Sequence, residues 1–358
     1  WWLLVAALYL SSCGKEDQVP GGSAADAHWP YSTYDYATLD LPPHLAGWSA
    51  LDNTPGSNPI DNAIATLGRV LFYDRELSQN RTVSCGSCHH QSLAFADTGA
   101  FSPGFLGVLT DRNSMALVNL RFNVGDRLFW DERMTPLESQ VLGPIQHLGE
   151  MGMLLPDLRA RLDTVPYYVP LLMAAYGDST VTNTRIARAL AQFIRSMVSY
   201  RSRYDLAAPT FTSFTAQEQE GRAIFQQRCA PCHATENFFL EEPMNNGLAL
   251  DPNDTGVGFV TGDPADDGKF RPPSLRNVAL TPPYMHDARF ATLDEVIEHY
   301  STGVLDHPNL GAPLRDPGTG DVVLAQFTPT QKSALSAFLH TLTDIHFLTD
   351  PKWSDPFQ

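Results

Sequence analysis

A chain of 358 residues is long enough for two or three ordinary domains and a sizeable core. Its 43% hydrophobic and 18% charged content excludes a disordered or fibrous protein, and its longest apolar run is too short to span a bilayer. Asp and Glu total 40 against 24 Lys and Arg, and the net charge of −16 argues against nucleic-acid or anionic-membrane binding and for basic partners.

The chain opens on WWLLVAALYL, an apolar run of signal-peptide length, followed by Leu10-Ser11-Ser12-Cys13-Gly14. The pattern is that of a bacterial lipobox. Residues 1–13 are therefore expected to direct export to the periplasm with a lipid on Cys13, an anchor that holds a protein to a membrane without spanning it. Residues 14–50, with Pro20-Gly21-Gly22-Ser23 and Pro42-Pro43, read as a tether and lead-in loop.

Next, Ile64, Leu67, Val70 and Leu71 recur at helical spacing. Beyond them comes Cys85-Gly86-Ser87-Cys88-His89, and far downstream Cys229-Ala230-Pro231-Cys232-His233. A CxxC followed at once by His is the c-type haem attachment motif. Two thiols one helical turn apart add across the two haem vinyls, and the adjoining His faces the iron. A zinc site would need its second pair about 15–20 residues on, and a thioredoxin-like pair has no use for the His. Two covalent haems are the reading, with His89 and His233 as proximal ligands.

Thr184 to Tyr200 is expected to form a long amphipathic helix with Ile186, Leu190, Phe193, Ile194, Met197 and Val198 on its buried side. Thr215 with Glu218 makes a capping box ahead of the second motif, so each motif is expected at the end of a helix. Thr328 with Gln331 caps a last helix striped by Leu335, Phe338, Leu339 and Leu342. No strand-like alternation competes. The expected fold is mainly α, with two cytochrome c-type haem domains packed against each other. The first spans 51–205 and the second 206–350, with a tail at 351–358.

At this point the chain resembles the bacterial di-haem cytochrome c peroxidases and their MauG-type relatives, from about Leu67 to Thr343. The matching stretches are residues 67–74 (LGRVLFYD), Asp111-Arg112-Asn113, Phe129-Trp130-Asp131, Gly143-Pro144-Ile145-Gln146 with Glu150-Met151, Leu275-Arg276-Asn277 and Pro283-Tyr284-Met285-His286. The resemblance implies that the N-terminal haem binds peroxide and that Glu150 moves protons on its distal side. It implies Trp130 as an electron relay between the haems. It also implies a calcium ion held by the Asn113 side chain and the carbonyls of Thr281 and Pro283, hard oxygen donors suited to that ion. Asp251-Pro252-Asn253-Asp254 and 263–267 are acidic too, but read as solvated loops.

Two departures bear on mechanism. Reductively activated peroxidases carry a His sixteen residues after the first proximal His, where this chain has Phe105, which cannot ligate iron. The first haem is therefore expected to be open at rest, and His90 to point elsewhere. Where many family peroxidases have an axial Met, this chain has Tyr300; MauG-type members use a tyrosine there. Phenolate favours ferric iron, whereas Met raises the potential. The neighbouring His299 is the rival ligand, and adjacent helical residues do not both face one iron.

Three functions follow as expectations. The first is reduction of hydrogen peroxide with electrons from a small cytochrome c or cupredoxin. The second is a MauG-like oxidase drawing electrons from aromatic residues of a partner protein, and the third a non-enzymatic di-haem carrier. Glu150 and the missing sixth ligand argue against the carrier.

Overall fold

The computed structural model describes residues 33–123, 125–233, 242–250 and 253–358. The apolar leader and Cys13 lie outside the described residues. The chain is almost wholly helix and loop, with only isolated β-bridges among the described residues.

The first lobe is built on α1 (Asn62–Tyr73) crossing α4 (Asn183–Arg195), with α2 (Leu155–Leu162) and α3 (Tyr168–Tyr176) beside them. Asp61 starts α1 by accepting the amides of Ala63 and Ile64 at 2.8 and 3.0 Å. Leu67, Val70, Leu71, Leu190, Phe193 and Ile194 meet in one apolar core. The second lobe repeats the plan: α5 (Ala216–Arg228) crosses α7 (Pro329–His340), with α6 (Leu293–Glu298) alongside. Capping boxes start all three helices, at Thr215 and Thr328 as the sequence indicates and at Thr292 with Glu295 as well. Their core holds Ile224, Phe225, Leu335, Phe338 and Leu342.

The lobes match in detail. A Cβ on Gly68 would stand 2.0 Å from the Ala189 carbonyl oxygen and 2.8 Å from Phe193 Cβ. On Gly221 it would stand 1.9 Å from the Ala334 carbonyl oxygen and 2.8 Å from Phe338 Cβ. Asn119 and Asn277 both sit in the left-handed region, at φ 60° and 61°, a conformation asparagine tolerates better than most residues. Their amides take the Met197 and Leu342 carbonyls, just past α4 and α7. The chain is an internal duplication.

Several boundaries differ from expectation. The predicted helix to Tyr200 ends at Arg195, because the Asn119 amide takes the Met197 carbonyl and the Ser199 amide turns to Asn119 Oδ1 at 2.7 Å. The second CxxCH does follow a helix, α5, directly. The first does not follow α1, which stops at Tyr73. Asp74 there is held by the hydroxyls of Tyr167 and Tyr168, each at 2.6 Å, and Cys85 starts a separate turn at Cys85–Ser87. The lead-in is packed on the body: Tyr36 is buried in the first lobe's core, and a short 3-10 helix at Pro43–Leu51 buries Leu45 and Trp48 against Phe122 and Val198. The last residues are not a tail, because Phe347 and Trp353 fill the first lobe's core and Arg69 donates to the Ser354 carbonyl at 2.6 Å. Asp254, in the loop read as solvated, is partly exposed but paired, receiving Arg112 at 2.6 and 2.7 Å.

Gly68→Ala and Gly221→Ala are each expected to destabilise the holoprotein by about 3 kcal/mol, the upper range for overpacking. Gly47→Ala, with open space around its Cβ position, should be neutral. Urea unfolding checks all three.

Candidate active site and haem attachment sites

The turn Cys85–Ser87 is closed by the amides of Cys88 and His89, which donate to the Cys85 carbonyl at 3.1 and 3.0 Å. Both thiols and the imidazole thereby line one cavity. Leu190 and Ile194 of α4 and Val141, Pro144 and Met151 supply apolar walls. His89 Nδ1–H donates to the Phe95 carbonyl at 2.8 Å, which leaves Nε2 as the acceptor nitrogen. Burial also pushes the His89 pKa down, favouring the neutral ligand form. These residues fit a covalent haem ligated by His89.

Glu150 lines the same cavity. Burial raises its pKa above the ordinary carboxylate range, opposed by the nearby His147 and Arg133 charges. His147 Nδ1 lies 3.4 Å from Glu150 Oε1. The loop bearing Phe105 is tied to this turn: the Phe105 amide donates to the Glu150 carbonyl at 2.7 Å, and Gly104 packs backbone to backbone on Gly149. The Phe105 ring lies over Gly152, where a Cβ would come within 2.3 Å of it. His90 turns outward, half-exposed, with Nε2 3.7 Å from Asp97 Oδ1.

In the second lobe the Cys232 and His233 amides donate to the Cys229 carbonyl at 3.0 and 2.9 Å, repeating the first motif. Tyr300 is half-buried; burial pushes its phenol up to about 12, the charges of Cys232 and Cys229 add to this, and a hydrogen bond from Asn246 Nδ2 at 3.3 Å opposes it. His299 instead directs Nε2 to the Asn246 carbonyl at 3.0 Å. Of the two rival ligands, Tyr300 is the one whose pKa feels both cysteines, while the His299 ring is engaged with a backbone carbonyl.

Trp130 is buried between the lobes, its Nε1–H donating to the Asn113 carbonyl at 2.8 Å. The Asn113 amide in turn donates to the His286 carbonyl at 2.8 Å, which brings Asn113 to the loop that follows Thr281 and Pro283. Asn113 Nδ2 donates to the Gly99 and Ala100 carbonyls, each at 3.2 Å, so Oδ1 has no donor among the described residues.

Sequence reasoning missed His147, Asn246 and Met244. The three-residue spacing of His147 from Glu150 is a weak signal in an irregular turn. Asn246 and Met244, whose Sδ is 3.3 Å from Cys232 Sγ, carry none, because the fold alone brings them there.

Comparison with known proteins agrees with this geometry. Residues 62–209 match the family described as di-haem cytochrome c peroxidase. The methylamine utilization protein MauG of Methylorubrum extorquens is 32% identical over 294 residues, 80% of each chain. The cytochrome c551 peroxidase of Nitrosomonas europaea is 30% identical over 80% of this chain and 81% of its own. A MauG-like protein associated with microbial copper homeostasis superposes with a TM-score of 0.81 at 32% identity, over 90% of this chain and 99% of that one. Two attachment motifs in duplicated helical lobes, with these relatives across most of the length, place the chain in the di-haem cytochrome c peroxidase family.

Proposed function

We propose that the protein is a periplasmic peroxidase that reduces hydrogen peroxide to water with electrons from a small cytochrome c or cupredoxin, and that it needs no reductive activation. One observation carries this: the Glu150 carboxylate faces the cavity that holds Cys85, Cys88 and His89. When bound, the haem supplies the iron at which peroxide is reduced. Glu150 takes a proton from one peroxide oxygen and returns it to the other, which a carboxylate with raised pKa does near neutral pH. His147 and Arg133 keep that carboxylate from rising further. Phe105, over Gly152, offers no ligand that would close the site.

Electrons would enter through the second lobe, where His233 and Tyr300 would hold the haem iron. Tyr300 also supports the second reading, a MauG-like oxidase of a partner protein's aromatic residues. A calcium ion completes the proposal, taken by Asn113 Oδ1 and the carbonyls of Thr281 and Pro283. The lobes divide near residue 205. No described helix is long and apolar enough to cross a membrane, so a lipid on Cys13 is the proposed anchor.

Glu150→Gln should slow the reaction with peroxide about 10²- to 10⁴-fold, the usual worth of a positioned acid–base group. Stopped-flow mixing with stoichiometric peroxide measures this, and an unchanged rate sinks the assignment. The ionised carboxylate is the base, so the wild-type rate should fall as pH drops through its raised pKa. His147→Leu removes a charge that lowers that pKa, and its acid limb should move to higher pH. Tyr300→Met should raise the reduction potential of one haem and alter its low-spin EPR signal, leaving the other untouched. A titration showing both potentials unmoved would exclude Tyr300 as a ligand.

A further inference from the structure

The duplication has a consequence at the lobe interface. Residues 128–134 and 284–290 form the same loop twice. Each is closed by a bridge, Leu128 to Met134 and Tyr284 to Phe290. Each has left-handed residues at matching places, Phe129 and Glu132 in one, Met285 and Ala288 in the other. Each folds an Arg back on an Asp two residues earlier, Arg133 on Asp131 and Arg289 on Asp287. In this register Trp130 corresponds to His286.

The two side chains meet. Their ring centroids are 6.4 Å apart in an edge-to-face contact. Reciprocal backbone bonds clamp them: the Asn113 amide donates to the His286 carbonyl and the Arg271 amide to the Trp130 carbonyl, both at 2.8 Å. On its other side the His286 imidazole stacks on Phe270, with centroids 3.6 Å apart and planes 14° from parallel. Phe270 pairs through its backbone with Met244, whose Sδ lies 3.3 Å from Cys232 Sγ. Toward the first lobe, Trp130 Nε1 reaches the Asn113 carbonyl, and the next residue, Ser114, joins Ser102 at 2.7 Å. Ser102 is also a hydrogen-bond partner of Cys88.

We propose that His286 and Phe270 are the second-lobe half of the electron path, so that the route between attachment sites runs Cys232, Met244, Phe270, His286, Trp130. One electron moves from the second lobe to the first, with peroxide as the final oxidant. No bond forms or breaks, and the indole keeps its proton because its partner is a backbone carbonyl. His286 acts as a positioning residue: its flat ring fills the gap between Phe270 and the indole edge without a break in π contact. The inference rests on the peroxidase reading, but the path exists whether or not peroxide is the physiological oxidant.

The test therefore begins without peroxide. In the fully ferric holoprotein a single electron is injected by pulse radiolysis, and its redistribution between the two haems is followed by visible absorption. His286→Leu and Phe270→Leu should slow that redistribution at least about tenfold, the scale on which small misplacements act. His286→Phe, which keeps a flat ring, should restore most of the rate. The reduction potentials and EPR spectra of both haems should be unchanged in all three variants. Wild-type redistribution in His286→Leu, or a His286→Phe variant as slow as His286→Leu, overturns the proposal. If His286→Leu fails to bind haem, Phe270→Leu decides by the same measure. Failure of the wild type to react with peroxide would refute the peroxidase reading alone, since the injected electron does not depend on it.

Discussion

Two helices approach until backbone meets backbone only where one of them lacks a side chain. Both lobes are built on that contact, at Gly68 against Ala189 and Gly221 against Ala334. The rest follows from it. With the backbones in contact, Leu190 and Ile194 reach the wall of the first cavity, and Phe193 and Phe338 seal the two cores behind. The carbonyls beyond each helix end then meet the amides of Asn119 and Asn277, which turns the chain toward the loops that bear Trp130 and His286.

The site itself is a division of labour between rigid and irregular backbone. Cysteines and proximal histidines are fixed by short turns closed on Cys85 and Cys229. Glu150, Phe105 and Trp130 stand on loops held by scattered backbone bonds and, at Gly104 and Gly149, by glycines that let chains touch. An acid–base group in a loop can be exchanged without disturbing a helix, and this suits a fold whose members differ in how the distal side is furnished.

Local patterns were legible from the residues alone. The capping boxes, the two CxxCH motifs and the apolar stripes of α4 and α7 depend only on neighbours in sequence, and they appear where they were read, save that the α4 stripe stops short of Met197 and Val198. Glu150 and Trp130 stood out only through resemblance, since a glutamate in a Gly-rich turn and a core tryptophan look ordinary by themselves. What stayed hidden was long-range. The stop of α4 at Arg195 is imposed by Asn119, the break after α1 by the two tyrosines on Asp74, and the environment of Tyr300 by Asn246. The duplication showed in the two CxxCH motifs, but its other paired residues, Gly68 with Gly221 and Asn119 with Asn277, are single residues with no local pattern, and Trp130 and His286 differ in type.

The return of Phe347 and Trp353 to the first lobe makes that lobe depend on chain far from it in sequence. Until those residues arrive, the first core lacks two of its large aromatic side chains, and Arg69 and Tyr73 lack the Ser354 and Trp353 carbonyls that receive them. Residues 347–354 thus act as a clasp on the first lobe, so its packing is closed by chain that lies beyond the whole of the second lobe.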